Sequence, residues 1–195
     1  MEIVGDSTEI DDVELLALCE KHGVSRDVAY GWENRRLIYG MPENKLEFEK
    51  EMTTLFPAAE IKVYESPYYI FDRSRCGDEP IARPWARKIW TANLVADPAM
   101  QQEYMDYHKH QFEQFPEVSA GFCRAEFQQL IMYRNGRQLI LIISYPAGKD
   151  YDTLNARTVE NNPRVDEWNS IMGKYQEGIE GSPFGSVWVP FEPVF

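Results

Sequence analysis

The chain has 195 residues, 44% of them hydrophobic and 13% aromatic, and a formal net charge of −12. That length accommodates one domain or two small ones around a buried core. The acidic balance argues against a nucleic-acid binder, which needs a cationic surface, and no apolar run is long enough to span a bilayer.

The first residues, MEIVGDSTEIDD, are acidic and lack the apolar stretch of a signal peptide, so a cytoplasmic protein is expected. Cys19, Cys76 and Cys123 are odd in number and widely spaced, which fits reduced thiols and no disulfide framework. In chain order, EIVG reads as a short strand. Asp11 or Asp12 can cap a helix through VELLALCEKHG, with apolar positions 13, 15, 16 and 18 and a stop at Gly23. DVAYGWE and RRLIYGMP predict a hairpin across Glu33-Asn34. Asn44 can cap a second helix, KLEFEKEMTTLF, with Leu46, Phe48, Met52, Leu55 and Phe56 on its apolar side. EIKVYESPYYIF reads as a closing strand, broken or bulged at Pro67. The order β-α-β-β-α-β is the ferredoxin-like plan.

After a polar connector, RSRCGDEPIARP, the same order returns. KIWTANLV is a strand, and residues 103–117 form a helix that Pro116 kinks or ends. FQQLIMYR and RQLILIISYP make a hairpin with Asn135-Gly136 at its turn. The stretch from Asp152 to Ile179 is largely helical with a break before Pro163, and SVWVPFEPVF ends as a strand. The expected fold class is α+β, with a degenerate ferredoxin-like unit over 1–80 and a second unit over 81–195 that carries the site. The charge is uneven: residues 1–80 hold 9 Lys/Arg against 18 Asp/Glu, so the half with two of the three histidines is nearer neutral.

No dinucleotide fingerprint, phosphate loop, nucleophile elbow or HExxH motif occurs. His108 and His110 are two apart on a predicted helix and face different ways, so they do not make a metal pair, and no metal site is expected. Tyr104, His108, Phe112 and Phe115 share one helical face. An imidazole that titrates near neutrality among aromatic rings suits proton transfer on a sugar, whose C–H faces pack on rings. Anomer exchange needs little else: one group protonates the ring oxygen while another takes the proton of the anomeric hydroxyl.

Residues 87–195 resemble the L-rhamnose mutarotase family. The resemblance is carried by Glu103-Tyr104-Met105-Asp106-Tyr107-His108, by Asn162-Pro163 followed by Trp168 and Met172, by Tyr175-Gln176, and by Gly185 to Trp188 with the aromatic ending Phe191 to Phe195. It implies a dimeric α+β barrel, no cofactor, His108 as proton donor, Tyr104 as a sugar ligand and Trp168 as a pocket wall. Phe112, Tyr107, Met172 and Trp188 are the further wall candidates, and Glu103 or Glu117 could serve as base. The chain departs from the family at three places. The family's Trp-Pro-Glu is Phe112-Glu113-Gln114 by spacing or Phe115-Pro116-Glu117 by letters. Its Trp-Trp is Trp168-Asn169, and a sugar-binding Tyr of rhamnose-type members falls on Leu130. The pattern is closer to the L-fucose-type branch.

Usual family members are about half this length, so the chain is read as two ferredoxin-like units fused in one polypeptide, either a pseudo-dimeric monomer or a homodimer. The expected activity is exchange of the α and β anomers of a 6-deoxy-L-aldose, L-rhamnose or L-fucose, with a monosaccharide as partner and neither nucleic acid nor membrane. The alternatives are a non-catalytic sugar- or ligand-binding relative and another α+β-barrel enzyme such as an oxygenase.

Overall fold

A computed structural model describes residues 1–5, 10–77 and 80–194. The chain divides into two compact units, Met1–Tyr64 with Pro190–Phe195, and Glu65–Val189. Both are mixed α+β. The division falls at Tyr64–Glu65 rather than near residue 80, and the chain's last strand joins the first unit.

The first unit runs β1 (Glu2–Val4), α1 (Asp12–Lys21), β2 (Ala29–Trp32), β3 (Arg35–Ile38), α2 (Lys45–Leu55) and β4 (Glu60–Lys62). Its antiparallel sheet has the order β4-β1-β3-β2, and residues 192–193 of the final strand add to β2. Asp11 caps α1 by accepting from the Val13 and Glu14 amides at 2.8 and 3.2 Å, and Asn44 caps α2 by accepting from Glu47 at 3.3 Å. Glu33 and Asn34 turn the β2–β3 hairpin, with Glu33 at φ 47°. Ile3, Leu15, Leu18, Cys19, Phe48 and Met52 form the core. Val13 and Leu46, expected on apolar faces, are exposed: both sit in the first turn of their helices, outside the stripe that meets the sheet.

The second unit runs β5 (Tyr69–Asp72), β6 (Trp85–Leu94), α3 (Pro98–Gln114), α4 (Pro116–Arg124), β7 (Gln129–Asn135), β8 (Gln138–Pro146), α5 (Tyr151–Ala156), α6 (Pro163–Met172) and β9 (Gln176–Glu177), before β10 (Val189–Pro193). Its antiparallel sheet has the order β9-β6-β8-β7-β5. The expected closing strand of the first half is therefore two strands, β4 and β5, in different units. Pro67 lies between them, and Tyr69–Asp72 pairs with the outer edge of β7.

Helix α3 starts upstream of the predicted Glu103. Asp97 accepts from the Ala99 and Met100 amides at 2.7 and 3.3 Å, and Pro98 occupies the first turn, where a missing N–H costs nothing. Of the two expectations for Pro116, a kink or an end, it is the end that is found, with α3 closing at Gln114. Pro116 opens a separate helix, α4, for the same reason. Asn135 pairs with Gln138, so Gly136 and Arg137 make the hairpin turn, with Gly136 at φ +57°.

The cysteines correct the expectation of three reduced thiols. Cys76 and Cys123 form a disulfide with Cα atoms 5.7 Å apart, and among the described residues the free cysteine is the buried Cys19. The pair is 47 residues apart in sequence and meets because the 3₁₀ turn Arg73–Cys76 lies along α4. Disulfides persist in oxidising compartments, so the thiols no longer support a cytoplasmic location. Among the described residues no helix is long and apolar enough to cross a membrane.

Candidate active site

The second unit holds an open cavity of about 720 Å³ between its helices and its sheet. One part of its lining is polar-tipped: Tyr104 and His108 from α3, Trp168 and Asn169 from α6, Gln176 from β9, and Trp188. Tyr104 and His108 are one helical turn apart, as are Trp168 and Met172, so each pair projects from one face of its helix.

His108 is buried, at 5% exposure. Its Nδ1 lies 3.0 Å from the Tyr104 carbonyl oxygen. A carbonyl only accepts, so Nδ1 carries the proton and Nε2 keeps the lone pair for a ligand. Four rings surround the imidazole, those of Tyr68, Tyr69, Tyr104 and Trp168, with centroids 4.3–5.5 Å away. Burial pushes its pKa down to about 4, against a smaller upward effect of the Tyr104 carbonyl. At neutral pH His108 is therefore uncharged.

Tyr104 has no solvent exposure, and burial raises its pKa to about 12. Its hydroxyl oxygen accepts from Gln176 Nε2 at 3.3 Å and lies 3.1 Å from the Tyr68 hydroxyl. Gln176 Oε1 in turn accepts from Trp188 Nε1 at 3.2 Å. This chain of contacts fixes the Gln176 amide and holds the phenol of Tyr104 beside the imidazole.

Of the seven residues singled out from sequence, His108, Tyr104, Trp168, Met172 and Trp188 line the cavity. Phe112 packs behind it, stacked on Tyr69 at 5.4 Å with the Arg75 guanidinium 3.7 Å over its ring. Tyr107 is also behind the lining, against Phe115, Trp168 and Tyr175. Phe115 is buried 5.3 Å from Trp168, so the two candidates for the family's Trp support different walls. His110 lies away from the cavity, 3.8 Å from Glu113. Glu103 accepts from the Tyr175 hydroxyl at 3.1 Å, and the carboxylate of Glu117 is 3.8 Å from Arg164. Neither lines the cavity, whereas Asp152 does. Among the described residues no three His, Cys, Asp or Glu side chains are grouped to hold a metal ion.

Sequence reading missed Tyr68 and Tyr69. Tyr69 lines the cavity, sets its ring edge-on to His108 and donates to Gln111 Oε1 at 2.6 Å. The signal available is the Tyr-Tyr pair directly after Pro67, which the strand pattern of the sequence places in the first unit's sheet.

Residues 87–195 match the L-rhamnose mutarotase family. The chain belongs to that family. Two relatives cover much the same stretch. An L-fucose mutarotase of Xanthomonas campestris pv. campestris is 29% identical over 103 residues, 52% of this chain and 80% of that protein. A UPF0734 protein of Dictyostelium discoideum is 28% identical over 108 residues, 53% of this chain and 82% of that protein. The first agrees with the L-fucose-type resemblance of the sequence. The family match begins inside β6, so Tyr68 and Tyr69 lie upstream of it. The cavity is therefore lined in part by a residue outside the matched segment, Tyr69.

Proposed function

We propose that this chain is an isomerase that interconverts the α and β anomers of a 6-deoxy-L-aldose, L-fucose or L-rhamnose, by acid/base ring opening. Family membership supports the reaction class. The observation that carries the mechanism is a neutral, buried His108 with Nε2 free beside a protonated Tyr104.

The resemblance implied His108 as proton donor. With a pKa of about 4, the imidazole enters the cycle as a base instead. Nε2 accepts the O1 proton as the C1=O bond forms and the C1–O5 bond breaks, and O5 takes a proton from the Tyr104 hydroxyl. The aldehyde rotates about C1–C2. Ring closure reverses both transfers, with the imidazolium returning its proton to O1 and the phenolate recovering its own from O5. Gln176 donates to the Tyr104 oxygen, and Tyr68 can do so as well, which stabilises the phenolate while it exists. Trp168 and Tyr69 supply ring faces for the C–H surfaces of the sugar.

We also propose that each unit is ferredoxin-like and that the chain is a fused pseudo-dimer. In both, the first strand lies between the fourth and the third, and the third pairs with the second. The second strand of each unit is paired by a segment that follows the other's fourth strand: β5 follows β4 and pairs β7, and β10 follows β9 and pairs β2. A monomer by light scattering is the expected result.

Saturation-transfer NMR tests the activity. Added protein should speed anomer exchange of L-fucose or L-rhamnose well above the spontaneous rate. Exchange that stays at the spontaneous rate for both sugars and for a wider panel of aldoses would rule the activity out.

A further inference from the structure

The cavity extends past the proton-transfer end and opens to solvent. A 6-deoxyhexose has about eleven non-hydrogen atoms, and at one water's share of liquid volume each, ~30 Å³, it fills less than half of such a space. The cavity measures about 720 Å³, which leaves room for a second ring. His108 and Tyr104 line it and are buried, whereas Asp152, Asn155 and Asn169 line it and are exposed. The mouth therefore lies along α5 and α6.

The lining near that mouth has two characters. Its floor is carbon, where Leu130 pairs with Ile143 on the sheet. Its walls include the Tyr151 ring, 5.1 Å from Trp90 and stacked on Phe127 at 6.0 Å. Its rim is polar. Asp152, Asn155 and Thr158 follow one another at three-residue intervals, so one side of α5 and of the turn after it faces the cavity. That segment is tied down at both ends. Asp150 accepts from the Thr153 amide at 2.9 Å, and Thr158 Oγ donates to the Asn155 carbonyl oxygen at 2.7 Å. A plain acyl chain would strip water from this rim without replacing its hydrogen bonds. A phosphate would meet the Asp152 carboxylate with like charge. A sugar ring suits both characters: its C–H face packs on aromatic rings, and its hydroxyls can donate to a carboxylate and exchange hydrogen bonds with an amide.

We propose that a second sugar ring binds at this mouth, and that the preferred substrate is a disaccharide with the 6-deoxy-L-aldose at its reducing end. The second sugar is carried on O4, which stands across the ring from C1. C1 meets His108 and Tyr104, and the second ring lies against Tyr151 with hydroxyls toward Asp152 and Asn155. Ring opening uses O1 and O5 alone, so a link at O4 leaves the chemistry intact. This deepens the mutarotase reading and rests on it for the placement of C1.

The test compares L-fucose with two disaccharides, 4-O-β-D-galactosyl-L-fucose and its 2-O-linked isomer, whose second ring falls beside C1 at the buried end. Dissociation constants come from quenching of tryptophan fluorescence, and exchange rates from saturation-transfer NMR. The 4-linked disaccharide should bind at least about tenfold more tightly than L-fucose, since each added hydrogen bond contributes roughly fivefold. The 2-linked isomer should bind no more tightly than L-fucose. Asp152→Ala combined with Asn155→Ala, both at exposed positions, should cut the 4-linked ratio below about threefold. Equal binding of L-fucose and the 4-linked disaccharide, an equal gain for the 2-linked isomer, or an unchanged ratio in the double variant would overturn the proposal. Failure of the mutarotase reading looks different: no sugar would exchange faster, whatever the binding ratio.

Discussion

Each unit of this chain buries a histidine against an aromatic ring, and of the two it is His108 that lines the cavity described above. His22 ends α1 of the first unit, 5.3 Å from the Phe48 ring, with Nε2 3.4 Å from the Glu51 carboxylate. His108 sits mid-helix in the second unit, with Nδ1 tied to a backbone carbonyl and rings on all sides. Both are 5% exposed. Burial therefore does not distinguish a site from a strut. The distinction lies in what the second ring nitrogen faces, a carboxylate of the same unit or a space that a ligand can enter.

The units also spend their polar groups differently. The first buries Glu2 completely, with Arg35 Nη1 at 3.0 Å and the Tyr64 hydroxyl donating at 2.8 Å. The second places Tyr104, Gln176 and Trp188 in a relay that ends at the cavity. The first arrangement answers to folding and the second to a ligand, and substitutions should separate them.

Arg35→Ala should have the largest effect, on stability alone. It takes the guanidinium away from the buried Glu2 carboxylate, which costs about 3–5 kcal/mol in denaturant melts, and exchange per folded molecule should be unchanged. His108→Ala should do the reverse. Exchange acceleration per folded molecule should fall by about 10²–10⁴-fold, beyond any loss of stability from the emptied imidazole site. A fall of less than about tenfold would remove the imidazole from the chemistry.

Acid titration sharpens the contrast. His108 has a folded pKa of about 4 against about 6.5 for an ordinary imidazole, so the unfolded chain binds more protons between the two. The stability is fully present above pH 6.5 and declines as pH falls toward 4, by up to about 3 kcal/mol. His108→Gln should flatten that part of the pH–stability curve. Reducing the Cys76–Cys123 bond should lower stability by about 2–4 kcal/mol, and the loss should appear in unfolding of the second unit. Tyr68→Phe should have the smallest effect, about tenfold or less in kcat from loss of one hydrogen bond to the Tyr104 oxygen, with KM nearly constant. An equal change in KM would mean that Tyr68 only shapes the pocket.

Local signals were legible in the sequence. Asp11 and Asn44 cap as predicted because capping depends on residues two or three apart. The Tyr104/His108 spacing likewise put both on one face, since helical phase is set by sequence distance alone. What could not be read was long-range. Tyr69 reaches His108 only because β5 pairs with β7, some sixty residues on, and nothing near Pro67 specifies that partner. Cys76 and Cys123 join elements that the intervening strand and helices bring together. Phe112 and Phe115 share the predicted face, yet one stacks on Tyr69 and the other meets Trp168 edge-on, because α3 ends at Gln114 and Pro116 starts a new helix.

The most direct test of the account is the pH dependence of enzyme-accelerated anomer exchange, measured by saturation-transfer NMR on L-fucose between pH 4 and 8. A base with a pKa of about 4 predicts acceleration that is flat from pH 8 to about 5.5 and falls by half near pH 4. Acceleration that appears only below pH 6.5 would show that His108 acts as a charged acid, and would contradict the neutral imidazole at the centre of this site.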